Sequence, residues 1–594
     1  MASSISRRDF LILSAKGAGA AVISYGLMGC VNEDDDSQNT EVSVQFAHGV
    51  ASGDPLSDAI ILWTRVSPAL DGELTVSWEI AEDEAFDTLI GSGNTTTNTE
   101  KDYTVKVDAI GLSAGTTYYY RFICNGITST TGKTKTLVDG SPSAVKLAVM
   151  SCANYPTGHF NVYNLVAQQE DLDAVLHLGD YIYEYARGEY GSDNAEELDR
   201  QFLPATELLS LSDYRTRYAQ YRSDENLQLL HQRVPFITVW DDHEVANDTW
   251  REGAENHSED EGSFEDRKLA ALQAYFEWLP IRPWREGNYE EIYRSFAFGD
   301  LVDLHMLDTR VLARDEQLAF SDYFDSTTNT FDQQAYNDAL YDSERTMLGS
   351  EQLQWLEDKI TNSTGRWQVL GQQVLMAEMT LPGAIALGVM TTEDYVELGT
   401  LAVLAARYAA DNESLNEDEL TTLTNNADKL TDEVQAQLAL PALPYNLDAW
   451  DGYAGERDKI LDIFNNAAKD FIVLAGDTHN AWASELTDND GNNIGCELAT
   501  SSVTSPGLEY YLGLTDETAL ATEAGLVSLI DTLKYTNLTD RGFLTVTFTQ
   551  QETQATWHFV DTILSTQYTE LTSRQQSASI AYGAAALVLN ETSS

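Results

Sequence analysis

Between residues 42 and 140, apolar and polar positions alternate with a period of two. The runs AIILWTRV, ELTVSWEI, YTVKVDAI and TTYYYRFICNG are rich in β-branched and aromatic residues, with Gly, Asp and Asn between them. That pattern predicts short strands that are buried on one side. GLSAGTTYYYRF is similar to the corner of a fibronectin-like sandwich, so a small β-sandwich is expected over 42–140. DGSPS at 139–143 marks its end.

From residue 144 the rhythm changes. Continuous apolar runs appear: AVKLAVMSC (144–152), DAVLHLGD (173–180), VPFITVWDDHE (234–244), GDLVDLHMLDTR (299–310), WQVLGQQV (367–374) and DFIVLAGDTHN (470–480). Helical patterns fall between them, including 265–279, where Leu269, Leu272, Tyr275, Phe276 and Leu279 share a stripe, and 349–361. This reads as an α/β plan with covered sheets. GFLTVTFTQQETQATWHFV (542–560) predicts a hairpin. Residues 186–230, 313–348 and 381–440 read as insertions, the last helical and acidic, and 563–594 as a helix or loose tail.

The first thirty residues have another character. Ser6-Arg7-Arg8-Asp9-Phe10-Leu11 and the apolar stretch after it resemble a twin-arginine export signal, which implies the Tat export machinery as a partner. Leu27-Met28-Gly29-Cys30 resembles a lipobox, which would make Cys30 a lipid anchor. Residues 31–41, VNEDDDSQNTE, have no apolar face and read as an acidic tether. The expected location is periplasmic or extracellular, with membrane contact only through Cys30.

Charge narrows the function further. With 35 Lys and Arg against 95 Asp and Glu, the chain carries a net charge of −60, which excludes a nucleic-acid partner. Most of these acids read as a salt-adapted surface. The four cysteines are Cys30, Cys124, Cys152 and Cys496. If Cys30 is lipidated three remain, so either Cys124 pairs with Cys152 or one thiol has a special use.

The chemistry lies where the apolar strands stop. Cys152 and Asn154 follow Met150; Asp180 and Tyr183 follow Leu178; Asp241-Asp242-His243-Glu244 follow Trp240; Asp477 and His479 follow Gly476. In an open α/β sheet, the carboxyl ends of the strands converge on one crevice. Four sets of metal-capable groups at four strand ends point to a metal site. Each residue taken singly could cap a turn or fill the core.

The order Cys152, GDYIYE, WDDHE and GDTHNAW resembles the PhoD-type alkaline phosphatases, a branch of the calcineurin-like metallophosphoesterases. HGVASGDP…ILWTRV (48–66), MLDTR (306–310) and WDGYAGER (450–457) extend the likeness over nearly all of 42–560. Compared with the wider superfamily, Cys152 stands for an aspartate, Asp242 for an asparagine and Asp477 for a histidine. The resemblance implies a four-layer sandwich with mixed sheets behind an Ig/fibronectin-like N-terminal domain. It implies one Fe³⁺ held by Cys152, Asp180, Tyr183 and His479, and two Ca²⁺. Asp180 (bridging), Asp242, Asp477 and Gln373 are the expected calcium ligands.

Thiolate and phenolate stabilise a trivalent iron, and carboxylate and amide oxygens suit a hard divalent ion. Cys152 as a ligand leaves Cys124 and Cys496 as buried thiols. His243 is expected to face the phosphate or protonate the leaving group, oriented by Glu244. Asn154, Asn247 and Arg310 are the expected contacts to phosphate. The implied activity is hydrolysis of small phosphate monoesters at alkaline pH, with a metal-bound oxide or hydroxide as nucleophile. The rivals are a phosphodiesterase or phospholipase of the same family and a calcium-binding surface protein.

Overall fold

A computed structural model describes residues 42–590 apart from 284–286, 329 and 412–413. The expected signal, lipobox and tether at 1–41 lie outside the described residues.

Two mixed sheets form the centre. The first has ten strands; at its middle Ala144–Met150, Ala174–His177 and Phe236–Thr238 run parallel. The second has seven, of which Val302–Met306, Trp367–Gly371, Asp470–Ala475 and Asn493–Ala499 run parallel. Side-chain alternation explains the stacking. In DFIVLA, Ile472 and Leu474 enter the core shared with the first sheet, to which Leu147 and Val149 also belong. Phe471 and Val473 face the other way, onto Leu356 and Ile360 of helix Gly349–Asn362 and Ile460 and Phe464 of helix Ala454–Ala467. Helices Asn161–Ala167 and Glu225–Arg233 pack on the first sheet. The result is helix, sheet, sheet, helix: the four-layer α/β architecture that the resemblance implies.

The N-terminal region is β-rich as expected, and Tyr118 makes the corner contact, its hydroxyl accepting the Ser113 N–H at 2.8 Å. Its connection to the rest differs from two separate domains. Strands Val50–Gly53, Ala59–Arg65 and Thr104–Ile110 continue the ten-stranded sheet, and Gly53 pairs in parallel with Phe236. A Cβ at Gly53 would lie 2.4 Å from the Pro280 carbonyl oxygen, so only glycine lets the backbones meet there. The next residue, Asp54, takes a two-pronged bond from Arg294 and the backbone N–H of Arg282. A five-stranded sheet built on Thr117–Cys124 and Leu74–Ala81 closes the sandwich over Ile60, Leu62 and Val105.

The C-terminal region also departs from expectation. Residues 563–590 are not a helix or a loose tail. Gln576–Ala581 pairs with Glu552–Phe559, and Leu587–Asn590 pairs with Gln576–Ala581, so both extend the edge of the first sheet. Only Ala578, Ile580 and Leu587 are buried there, too few to signal strands among small polar neighbours. The 186–230 segment, read as an insertion, supplies Phe202, Tyr214, Tyr218 and Tyr221 to the main core. The 381–440 segment is helical as expected, with Thr392–Ala410 its longest helix.

Candidate metal centre

Three of the four strand ends deliver their polar residues through a sharp turn. Cys152, Asp180, Asp477 and His479 all have positive φ, at +60°, +52°, +62° and +65°. Non-glycine residues rarely adopt that region, and when they do the site is often functional. Gly179 (φ +105°) lets the turn after Leu178 pass under the next strand, where a Cβ would lie 2.3 Å from the Asp241 Cβ. Gly179→Ala should therefore destabilise the fold by about 3 kcal/mol or more. A thermal melt that shifts by less than a few degrees would contradict that close approach.

The turns bring three overlapping groups together: Cys152, Asp180 and His479; Asp180, Asp242 and His243; and Asp241, Asp242 and Asp477. Within each group the ligand-capable atoms lie within 4.8 Å of one another. Asp180 and Asp242 each belong to two of the groups. The Tyr183 hydroxyl completes the first, 2.8 Å from Asp180 Oδ2 and 3.0 Å from His479 Nε2. His479 donates its Nδ1–H to the Pro506 carbonyl at 2.6 Å, which leaves Nε2 as the lone-pair nitrogen toward the cluster.

Two buried carboxylate oxygens, Asp180 Oδ1 and Asp241 Oδ2, have no protein partner. Unpaired carboxylate oxygens in a dry site are costly, and a cation satisfies them. Burial pushes the Cys152 thiol and the Tyr183 phenol well above their usual ranges, and the Asp180 charge adds to both. A bound cation reverses that logic and displaces both protons. The donor set thus fits a metal centre with thiolate, phenolate, imidazole and carboxylate ligands.

Not every expected site residue joins the cluster. Gln373 is buried beside it, but its side-chain oxygen accepts the Thr309 hydroxyl at 2.6 Å and its amide donates to the Trp240 and Leu307 carbonyls. Arg310 is fully buried and is spent on protein carboxylates rather than left open to phosphate. It bonds Asp241 at 2.5 Å, Asp448 at 2.6 Å and Asp477 at 2.9 Å. Glu244 does not orient His243. Its carboxylate accepts the backbone N–H groups of Asp180 (3.0 Å), Tyr181 (2.5 Å) and Asp241 (2.6 Å), tying two strand ends together. Glu184 takes the expected orienting role, accepting the His243 Nδ1–H at 2.7 Å. Asn154 is buried with its side-chain oxygen unpartnered, and the Asn247 amide donates to Glu255 at 2.8 Å. Glu184 and Asp448 were not among the expected site residues, and Asp241 was expected only as one of the metal-capable groups, with no ligand role of its own.

The Cys152 and Cys496 thiols are free and buried, so no bridge joins Cys152 to Cys124, which is buried in the sandwich core.

Three comparisons with known proteins bear on this arrangement. Residues 147–557 match the model of the PhoD-like phosphatases, and residues 30–138 match that of their N-terminal domain. The chain belongs to the PhoD-like phosphatase family. It is 33% identical over 481 residues to alkaline phosphatase D of Bacillus subtilis (strain 168), covering 78% of this chain and 70% of that one. A solved structure of PhoD superposes with a TM-score of 0.72 at 28% identity, covering 92% of each chain. The protein is therefore a phosphatase, and its PhoD-like fold carries the candidate metal groups at the strand ends. Among the described residues, no helix is long and apolar enough to cross a membrane.

The electrostatics of this PhoD-like site make metal removal costly. Burial and neighbouring carboxylates push Asp477 up to about 7, and Glu244 and Asp248 up to about 8. A carboxyl raised above its unfolded value loses stability as pH climbs through that interval. His243, raised well above the usual imidazole range by Asp242, Glu184 and Asp180 despite its burial, acts with the same sign above its unfolded pKa. Metal-free protein should therefore lose thermal stability between about pH 6.5 and 8.5. A melting temperature that rises over that window would contradict this balance.

Proposed function

We propose that this phosphatase is an exported alkaline phosphatase that releases inorganic phosphate from monoesters and uses one Fe³⁺ and two Ca²⁺. The observation that carries the reading is the convergence of Cys152, Asp180, Tyr183 and His479, with Asp180 Oδ2 facing Tyr183 and His479 and its Oδ1 left without a protein partner. Thiolate and phenolate favour a trivalent ion, so these four would hold the iron, with Asp180 bridging. Asp242, Asp477 and Asp241 would hold calcium through carboxylate oxygens. When bound, the ions neutralise charge on the phosphoryl oxygens and lower the pKa of water.

The chain's own groups do the rest. His243 is oriented by Glu184, which accepts its Nδ1–H, and its Nε2 lies 4.0 Å from Asp242, on the metal side. From there it donates a proton to the departing alkoxide. Asn154 donates its amide to the Tyr190 carbonyl at 3.3 Å and leaves its side-chain oxygen unpartnered, an acceptor that suits a cation rather than a phosphate oxygen. Arg310 neutralises Asp241, Asp448 and Asp477 and keeps the acidic wall folded. Its role is positioning rather than clamping. Export rests on Arg7-Arg8 and anchoring on Cys30, both in the N-terminal signal.

Chelation should abolish phosphate release at alkaline pH, and iron with calcium together should restore it. Recovery with zinc alone, and none with iron and calcium, would overturn the ion assignment.

A further inference from the structure

The loop that positions His479 continues directly into an exposed apolar patch. The Pro506 carbonyl accepts from both His479 Nδ1 and the Tyr190 hydroxyl, each at 2.6 Å. Two residues later the short helix Leu508–Leu512 begins. It is pinned at its base: the Leu508 N–H donates to the Asn480 side chain at 3.1 Å, and Glu509 pairs with Arg541. Its outer residues are left uncovered, with Tyr510 51%, Tyr511 66% and Leu512 55% exposed.

Aromatic rings connect this patch to the metal centre. Tyr183 lies 6.0 Å from Tyr190 and 6.5 Å from Tyr185 between ring centres, and Tyr185 lies 5.3 Å from His243. The Tyr511 hydroxyl interacts with Tyr190, and Tyr510 packs edge-on against Tyr511 at 5.6 Å. Large exposed apolar groups scattered singly are ordinary; three in succession beside a reaction centre mark a contact surface.

We propose that Tyr510, Tyr511 and Leu512 form the platform that receives the alcohol part of the substrate, selecting phosphate esters of aromatic or other apolar alcohols. The inference rests on the phosphatase reading of the metal centre. Its chemistry follows from what the platform lacks. Arg541 neutralises Glu509, so the helix offers no free cation to a second anionic group. The chain's net charge of −60 further disfavours polyanionic esters.

The test compares 1-naphthyl phosphate with methyl phosphate on the metal-loaded full chain and on its Y510S/Y511S/L512S and Y511A variants. The ratio of kcat/KM for the naphthyl ester over the methyl ester should fall about tenfold in the triple variant, carried by KM, and by less in Y511A. An unchanged ratio overturns the platform. So does an equal loss on both esters, or an unchanged ratio with variant-dependent binding to neutral lipid vesicles. If the metal-loaded parent chain releases phosphate from neither ester, the phosphatase reading fails and takes the platform with it.

Discussion

Asp180→Asn should reduce phosphate release by about 10³-fold or more while leaving the chain folded. Asp180 is shared by both metal groups that face His243 and His479, and one of its oxygens has no protein partner. The amide keeps the side-chain volume and tolerates the left-handed backbone at this turn, since Asn adopts that region readily. It removes the charge that a bridging ligand must carry. Iron and calcium content should fall together. Wild-type turnover by the variant, or loss of activity with full metal content, would show that Asp180 does not bridge.

His243→Ala should lower turnover by about 10²- to 10⁴-fold with the metal content kept. The proton donor is set by Glu184, whose carboxylate holds Nδ1 and whose second oxygen accepts the Asn247 N–H at 2.8 Å and the Asn256 amide at 3.0 Å. Glu184→Gln should therefore shift the alkaline limb of the pH–rate profile to lower pH, because the imidazolium loses its counter-charge. Glu244→Gln should act differently. Its carboxylate holds four backbone N–H groups, those of Asp180, Tyr181, Ile182 and Asp241, and none of the reacting atoms, so it should lower the melting temperature more than it moves the pH profile. The opposite assignment of effects would restore Glu244 as the partner of His243.

The metal-capable positions were legible because the parallel strands are continuously apolar. A polar group directly after such a run, as at Cys152, Asp180 and Asp477, stands out against its neighbours. The four-layer order was legible only through resemblance, since periodicity does not say which sheet a strand joins. What stayed hidden depends on side-chain direction within turns. Glu184 closes GDYIYE and Glu244 closes WDDHE, and only the fold decides which one meets His243. Likewise Asp241 and Asp242 are adjacent, yet both reach the cluster because the chain turns between them. Asp448 meets Arg310 from 138 residues away, a pairing no local pattern carries. The burial of Arg310 is a consequence of that crowding: three carboxylates at hydrogen-bond distance outcompete an open position toward solvent. Gly53 and the C-terminal strands were missed for a related reason. Sheet edges are completed by partners distant in sequence, and one pairing at Gly53 joins what composition separates.

The central claim is that a thiolate, a phenolate, an imidazole and a bridging carboxylate share one ion. Metal analysis beside the visible spectrum, on protein purified without added metals or chelators, tests it most directly. The predicted result is iron and calcium, with a charge-transfer band in the visible that disappears in Tyr183→Phe. A colourless protein that holds zinc or manganese, with Tyr183→Phe spectrally and catalytically unchanged, would contradict it.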